Sequence, residues 1–154
     1  MASASDKLLA NLAITHYDFD PGATTATDIG WVDMRDFDNF ACSFFRTVGT
    51  AATTFKIIGN SASNGSGTDV TIKTHSIGSE PDATGDYIFL ECTGAEIAQE
   101  GSDAGETVRY LSASVSVATN SDEGVVTYVR GGGRAYDGLS SDTVAYPSTC
   151  VVVG

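Results

Sequence analysis

The chain's 154 residues suit one domain, and a chain of this length buries about 68–70% of its unfolded surface without covalent staples. Eight Lys plus Arg stand against 20 Asp plus Glu, a net charge of −12 that repels phosphate backbones and anionic lipid alike and so argues against direct nucleic-acid or membrane binding. Only 18% of the residues are charged, so the polar surface must come largely from Thr, Ser, Asn and Gly, and the composition leans towards strands and turns.

Residues 12–19 alternate with period two, placing Leu12, Ile14, His16 and Asp18 on one strand face and Ala13, Thr15, Tyr17 and Phe19 on the other, until Asp20, Pro21 and Gly22 stop the run. A short segment over 29–34 carries the only tryptophan, Trp31, and 35–39 mixes charge with Phe37 as turns do. Strands are predicted at Phe40 to Thr47 and Thr53 to Gly59. A Ser/Asn/Gly loop over 61–67 comes next, and then a strand from Thr68 to His75 with Val70 and Ile72 on one face.

Asp86 to Cys92 is dense in aromatic and β-branched residues and is predicted to be a central strand. Thr93 is placed to cap a helix, Glu96 supplies an acid in its first turn, and Gly101 is expected to end it after one or two turns. Thr107 to Ala118 is the clearest strand, with Val108, Tyr110, Ser112, Ser114 and Ser116 opposite Arg109, Leu111, Ala113, Val115 and Val117. Residues 120–123 are read as a turn that returns Gly124 to Arg130 as its hairpin partner.

About eight short strands with turn chemistry between them predict an all-β fold: an antiparallel β-sandwich or jelly-roll-like barrel with at most one short helix. The expected organisation is an N-terminal arm over 1–11, a body over 12–131 and a C-terminal arm over 132–154. The last follows a Gly hinge, and Tyr136, Leu139, Tyr146, Val151, Val152 and Val153 are its candidate partner-binding residues. Without a basic n-region or a run near 18 apolar residues, the chain is expected to be made and kept in a cytosol, or assembled there.

Catalytic chemistry is not legible in the residues. Cys42, Cys92 and Cys150 are odd in number and widely spaced, which predicts buried free thiols, and His16 and His75 read as ordinary strand residues. No nucleophile elbow or phosphate loop is present, and the acids at Asp18 and Asp20 and at Asp33, Asp36 and Asp38 lack the calcium-loop pattern, so they read as solvated turns. Asn64 heads a formal glycosylation triplet that reads as a turn. No cofactor and no metal are expected.

The run from Arg109 to Val117 with its return over Asp122 to Gly131, and the run from Asp86 to Thr93 leading into it, resemble a hairpin common in small structural proteins of tailed phages. The resemblance covers roughly residues 53–131 and is to capsid decoration, or cement, proteins. It implies a non-enzymatic virion protein on the capsid exterior, assembled in the host cytoplasm, that bridges major capsid protein subunits as a homo-oligomer, a trimer by family habit. The rival readings are a tail-tube or head–tail connector subunit, whose stacking loop would be 59–68, and a carbohydrate-binding sandwich presenting Trp31, Tyr87, Tyr128 or Tyr136. A hydrolase is the weakest.

Overall fold

A computed structural model of the chain describes residues 12–19, 27–49, 53–76, 84–117 and 121–132. In chain order the elements are β1 (Ala13–Phe19), β2 (Thr27–Asp28), β3 (Val32–Asp33), β4 (Asn39–Val48), β5 (Thr53–Asn60), β6 (Val70–Ser76), β7 (Tyr87–Thr93), α1 (Gly94–Ala104), β8 (Tyr110–Val117) and β9 (Glu123–Gly131). They form two antiparallel sheets. One has the order β1-β9-β4-β7, and the other has the order β2-β8-β5-β6 with β3 also paired to β8.

The pairings nest: β1 with β9, β2 and β3 with β8, β4 with β7, and β5 with β6. This is the double-sheet wrapping of a jelly roll, with β2 and β3 as one interrupted strand, and it resolves the expected choice between sandwich and jelly roll. Among the described strands only β5 and β6 are neighbours in both chain and sheet.

That wrapping overturns the predicted hairpin. β8 and β9 lie in different sheets, and the chain between them crosses from one to the other with Asp122 buried at the crossing. A period-two pattern fixes which face of a strand is buried, but not which strand lies beside it.

The core fills the gap between the inner faces. Phe40, Cys42 and Phe44 of β4, Val126 and Tyr128 of β9 and Ile88 of β7 face Phe55 and Ile57 of β5, Ile72 of β6 and Leu111, Ala113, Val115 and Val117 of β8, all buried. Phe44 spans the layers, its ring centroid 5.4 Å from Phe19 in its own sheet and 6.2 Å from Phe55 in the other. The β8 faces are as predicted, with the Leu111, Ala113, Val115 and Val117 face turned to the core.

Two local expectations are corrected. β7, predicted to be central, is an edge strand of its sheet. The helix runs through Gly101 to Ala104, and the left-handed residue that stops it is Gly105, with φ of 72° and its N–H donating to the carbonyls of Gly101 and Ser102. Gly101 is instead a packing glycine: a Cβ there would sit 3.0 Å from the Glu106 carbonyl oxygen of the returning chain. The N-terminal cap is as read, a capping box in which the Thr93 hydroxyl accepts the Glu96 N–H and the Glu96 carboxylate accepts the Thr93 N–H.

Candidate functional site

The residues that invited catalytic or metal chemistry are dispersed. His16 lies exposed on β1 with its Nδ1 2.9 Å from Thr127 Oγ1, while His75 sits half-buried on β6, in register with Phe55 of β5. Asp33 receives both Nε and Nη2 of Arg109, the shortest at 2.7 Å, and this guanidinium holds its carboxyl below the ordinary value. Asp36 lies 3.7 Å from Arg35, and the Asp38 carbonyl accepts the Gly94 N–H. Asp20 lies outside the described residues. Among the described residues no three His, Cys, Asp or Glu side chains converge on a point that could hold a metal ion.

Cys42 and Cys92 are free and buried, and Cys150 lies outside the described residues. Burial pushes both thiols up, that of Cys92 to about 12, so neither supplies a thiolate at neutral pH. Asn64 is exposed in its loop and accepts the Ser66 N–H.

The aromatic candidates separate by environment. Tyr128 is fully buried and Trp31 is half-buried against Gly65, whereas Tyr87 is 72% exposed. Tyr136 and the expected arm residues Leu139, Tyr146, Val151, Val152 and Val153 lie outside the described residues.

The outer face of the β1-β9-β4-β7 sheet is different. Strand register arranges its outward side chains in rows: Ile14, Val129, Ala41 and Glu91, then His16, Thr127, Ser43 and Phe89, then Asp18, Val125, Phe45 and Tyr87. A register shift after Arg46 brings Val48 beside Glu123 at one end. Tyr87 at 72%, Phe89 at 54% and Phe45 and Val48 at 44% each are the large hydrophobic side chains exposed among the described residues, and all four belong to β4 and β7.

Cross-strand pairing brings these side chains together, Phe45 directly opposite Tyr87 and Ser43 opposite Phe89. Asp18, Glu91 and Glu123 lie exposed around them. The only Lys or Arg residues in these four strands are Arg46 and Arg130, and neither joins the patch. Arg46 is wholly buried, while Arg130 stacks over Phe37 and donates to the Asp33 carbonyl. At the far end the face runs into a groove of about 490 Å³ lined by Leu12, Ala41, Cys92, Val129 and Gly132, with the 2.8 Å ion pair of Lys73 and Glu96 on its wall.

The opposite sheet's outer face is polar, with Asp28, Ser114 and Lys56 across one row and Thr54 opposite Ser116 in another. Sequence reasoning missed the aromatic face because it read Asp86 to Cys92 as a central strand and did not divide that strand into its two faces. The available signal was the strict alternation of Tyr87, Phe89 and Glu91 with Ile88, Leu90 and Cys92, which puts an acid on the same face as the two rings.

No family model matches the chain, and no curated protein is similar to it. Solved structures that match the chain include a Bacillus endospore appendage protein of disulfide-linked pili, at 15% identity and a TM-score of 0.43 over 78% of this chain and 85% of that one. They also include the SPBc2 prophage-derived protein YomS, at 16% identity and 0.40 over 78% and 95%. A third is VP2 of infectious bursal disease virus, at 12% identity and 0.45 over 81% of this chain but 33% of that one.

Proposed function

We propose that the chain is a non-enzymatic virion structural protein of the capsid-decoration kind, which binds the outer surface of an expanded phage shell and bridges neighbouring major capsid subunits. One observation carries this reading: a stiff jelly-roll body gathers its large exposed apolar side chains, Phe45, Val48, Tyr87 and Phe89, on two adjacent strands of one sheet. Contiguous exposed apolar groups mark interaction surfaces, whereas ionisable groups converging in a cleft would mark a catalytic one.

Jelly rolls recur in viral shells and in lectins, so the fold itself is support by analogy. In this reading the arms over 1–11 and 132–154 act as straps across neighbouring subunits, Tyr136, Leu139, Tyr146, Val151, Val152 and Val153 anchoring the second. Gly132, with φ of 68°, turns the chain as it leaves β9. Many copies on a symmetric lattice, as a homo-oligomer or singly, convert weak contacts into firm attachment.

Carbohydrate binding is the second reading, favoured by the exposure of Tyr87, since an open aromatic ring is what a sugar face stacks on. Sedimentation of the purified protein with empty expanded capsids, with purified tails, and a parallel glycan array separate the two. Co-sedimentation with capsids is the expected result, and glycan binding without any sedimentation would reject the virion reading.

A further inference from the structure

We infer that the outer face of the β1-β9-β4-β7 sheet is the docking surface, and that its occupant is a protein surface with an apolar centre and a Lys- or Arg-rich rim. The inference rests on the reading of the chain as an attachment module and names the part that attaches.

Three observations select that occupant. The central side chains, Phe45, Tyr87, Phe89 and Val125, offer an aromatic-aliphatic patch of the kind that carries binding energy when desolvated. Around it stand the exposed carboxylates of Asp18, Glu91 and Glu123, with no outward Lys or Arg on the four strands. A second copy of the chain would press these acids against their own kind, and the whole protein, at −12, would add to the repulsion. A basic rim neutralises them instead, steering the approach while the rings supply the hold.

The second support is that β7 violates its own local rule. Tyr87 and Phe89 carry large apolar areas that favour burial, yet both are turned to solvent on the outer face of β7. Where sequence propensity and position disagree without a gain in the core, the gain is expected in a partner.

The test compares the full chain with Tyr87→Ser/Phe89→Ser, a change at exposed positions that should leave the thermal midpoint in place. Two synthetic peptide probes are titrated and mapped by amide chemical shifts, one alternating leucine with lysine and one alternating leucine with glutamate. The lysine peptide should perturb amides around Phe45, Tyr87, Phe89 and Val125. Its binding should weaken steeply between ~50 and ~300 mM salt as the Debye length shrinks, and should fall about tenfold or more in the double variant. The glutamate peptide should leave these amides unmoved. Shifts centred on another acidic region, or equal affinity for the double variant, would overturn the inference.

Expanded capsids give the second arm. Wild-type protein that pellets with capsids while the double variant pellets equally well leaves the capsid reading standing and sinks this surface. Wild-type protein that does not pellet, while the lysine peptide still maps to β4 and β7, does the reverse.

Discussion

The Tyr128 phenol oxygen, carried on the inner face of β9, accepts the backbone N–H of Ala113 in the opposite sheet at 2.6 Å. Ala113 faces the interruption between β2 and β3, where Ile29 donates to its carbonyl but no edge-strand carbonyl meets its N–H. A side chain from the other layer completes the ladder. Gly30 lies in the same gap, where a Cβ would collide with the Tyr17 ring, and Tyr17 in turn packs 5.1 Å from Tyr128. The break in the strand and the two tyrosines are thus one device that fastens the sheets along their β1 and β2 side.

Tyr128→Phe keeps the ring and orphans the Ala113 N–H, so it should cost about 1–3 kcal/mol without altering the fold. Burial raises the Tyr128 phenol above its ordinary value, and that of Tyr17 as well. The folded state therefore holds protons that the unfolded chain releases near pH 10. Stability should be full below that pH and fall as it rises further, and the Phe variant should fall less steeply. Urea midpoints measured from neutral to alkaline pH check this, and parallel curves for the two proteins would contradict it.

Arg46 and Asp122 form an ion pair at 3.2 Å with side chains 0% and 1% exposed. It fixes the crossing from β8 to β9 against the end of β4, and Gly49, with φ of 105°, leaves room where any Cβ would run into the Asp122 carboxylate. Asp122→Ala removes the Asp122 carboxylate from beside the buried Arg46 guanidinium and should cost about 3–5 kcal/mol, while Arg46→Met with Asp122→Leu should recover most of that loss. Denaturant unfolding of the three proteins decides it. A double variant as weak as the single one would show that the pair is worth more than apolar packing.

The strands were legible because each buries one side: apolar strand-forming runs located β1, β4, β5, β6, β8 and β9, and alternation divided β8 into the two faces found. Neighbour relations were not legible, because in nested wrapping most partners are far apart in the chain. Ala13 lies opposite Arg130 and Asn39 opposite Gly131, and no local signal joins them. The rank of β7 was misread for a related reason, since the same aromatic residues serve a buried strand or an exposed docking face. The Arg46–Asp122 pair was invisible because the charged residues of a turn look solvated, and nothing local distinguishes Asp122, which is buried, from Glu123, which is exposed.

The helix should respond to acid. The Lys73 ammonium, hydrogen-bonded at 2.8 Å, and then the Thr93 amide hold the Glu96 carboxyl down to about 2 from its ordinary 4.5. A depressed carboxyl stabilises the fold above the unfolded value, and that contribution is lost as pH falls from about 4.5 towards about 2. Glu96→Gln should flatten this acid limb, while Thr93→Ala should lower stability at neutral pH by about 1 kcal/mol through loss of the cap. Thermal midpoints across that range test both, and an acid limb unchanged in Glu96→Gln would assign it to other carboxylates.

Trp31 provides an optical check on where partners bind. The only tryptophan lies between β2 and β3, and an added Cβ on Gly65, whose φ is 69°, would stand 2.5 Å from its Nε1. Gly65→Ala should therefore push the indole towards water and shift its emission to the red, with about 1–2 kcal/mol lost to the left-handed backbone. Emission that stays in place would mean that the 61–67 loop moves instead. Because Trp31 belongs to the sheet opposite the aromatic face of β4 and β7, wild-type emission should not change when capsids or the lysine peptide bind. A shift on binding would put the partner on the wrong sheet.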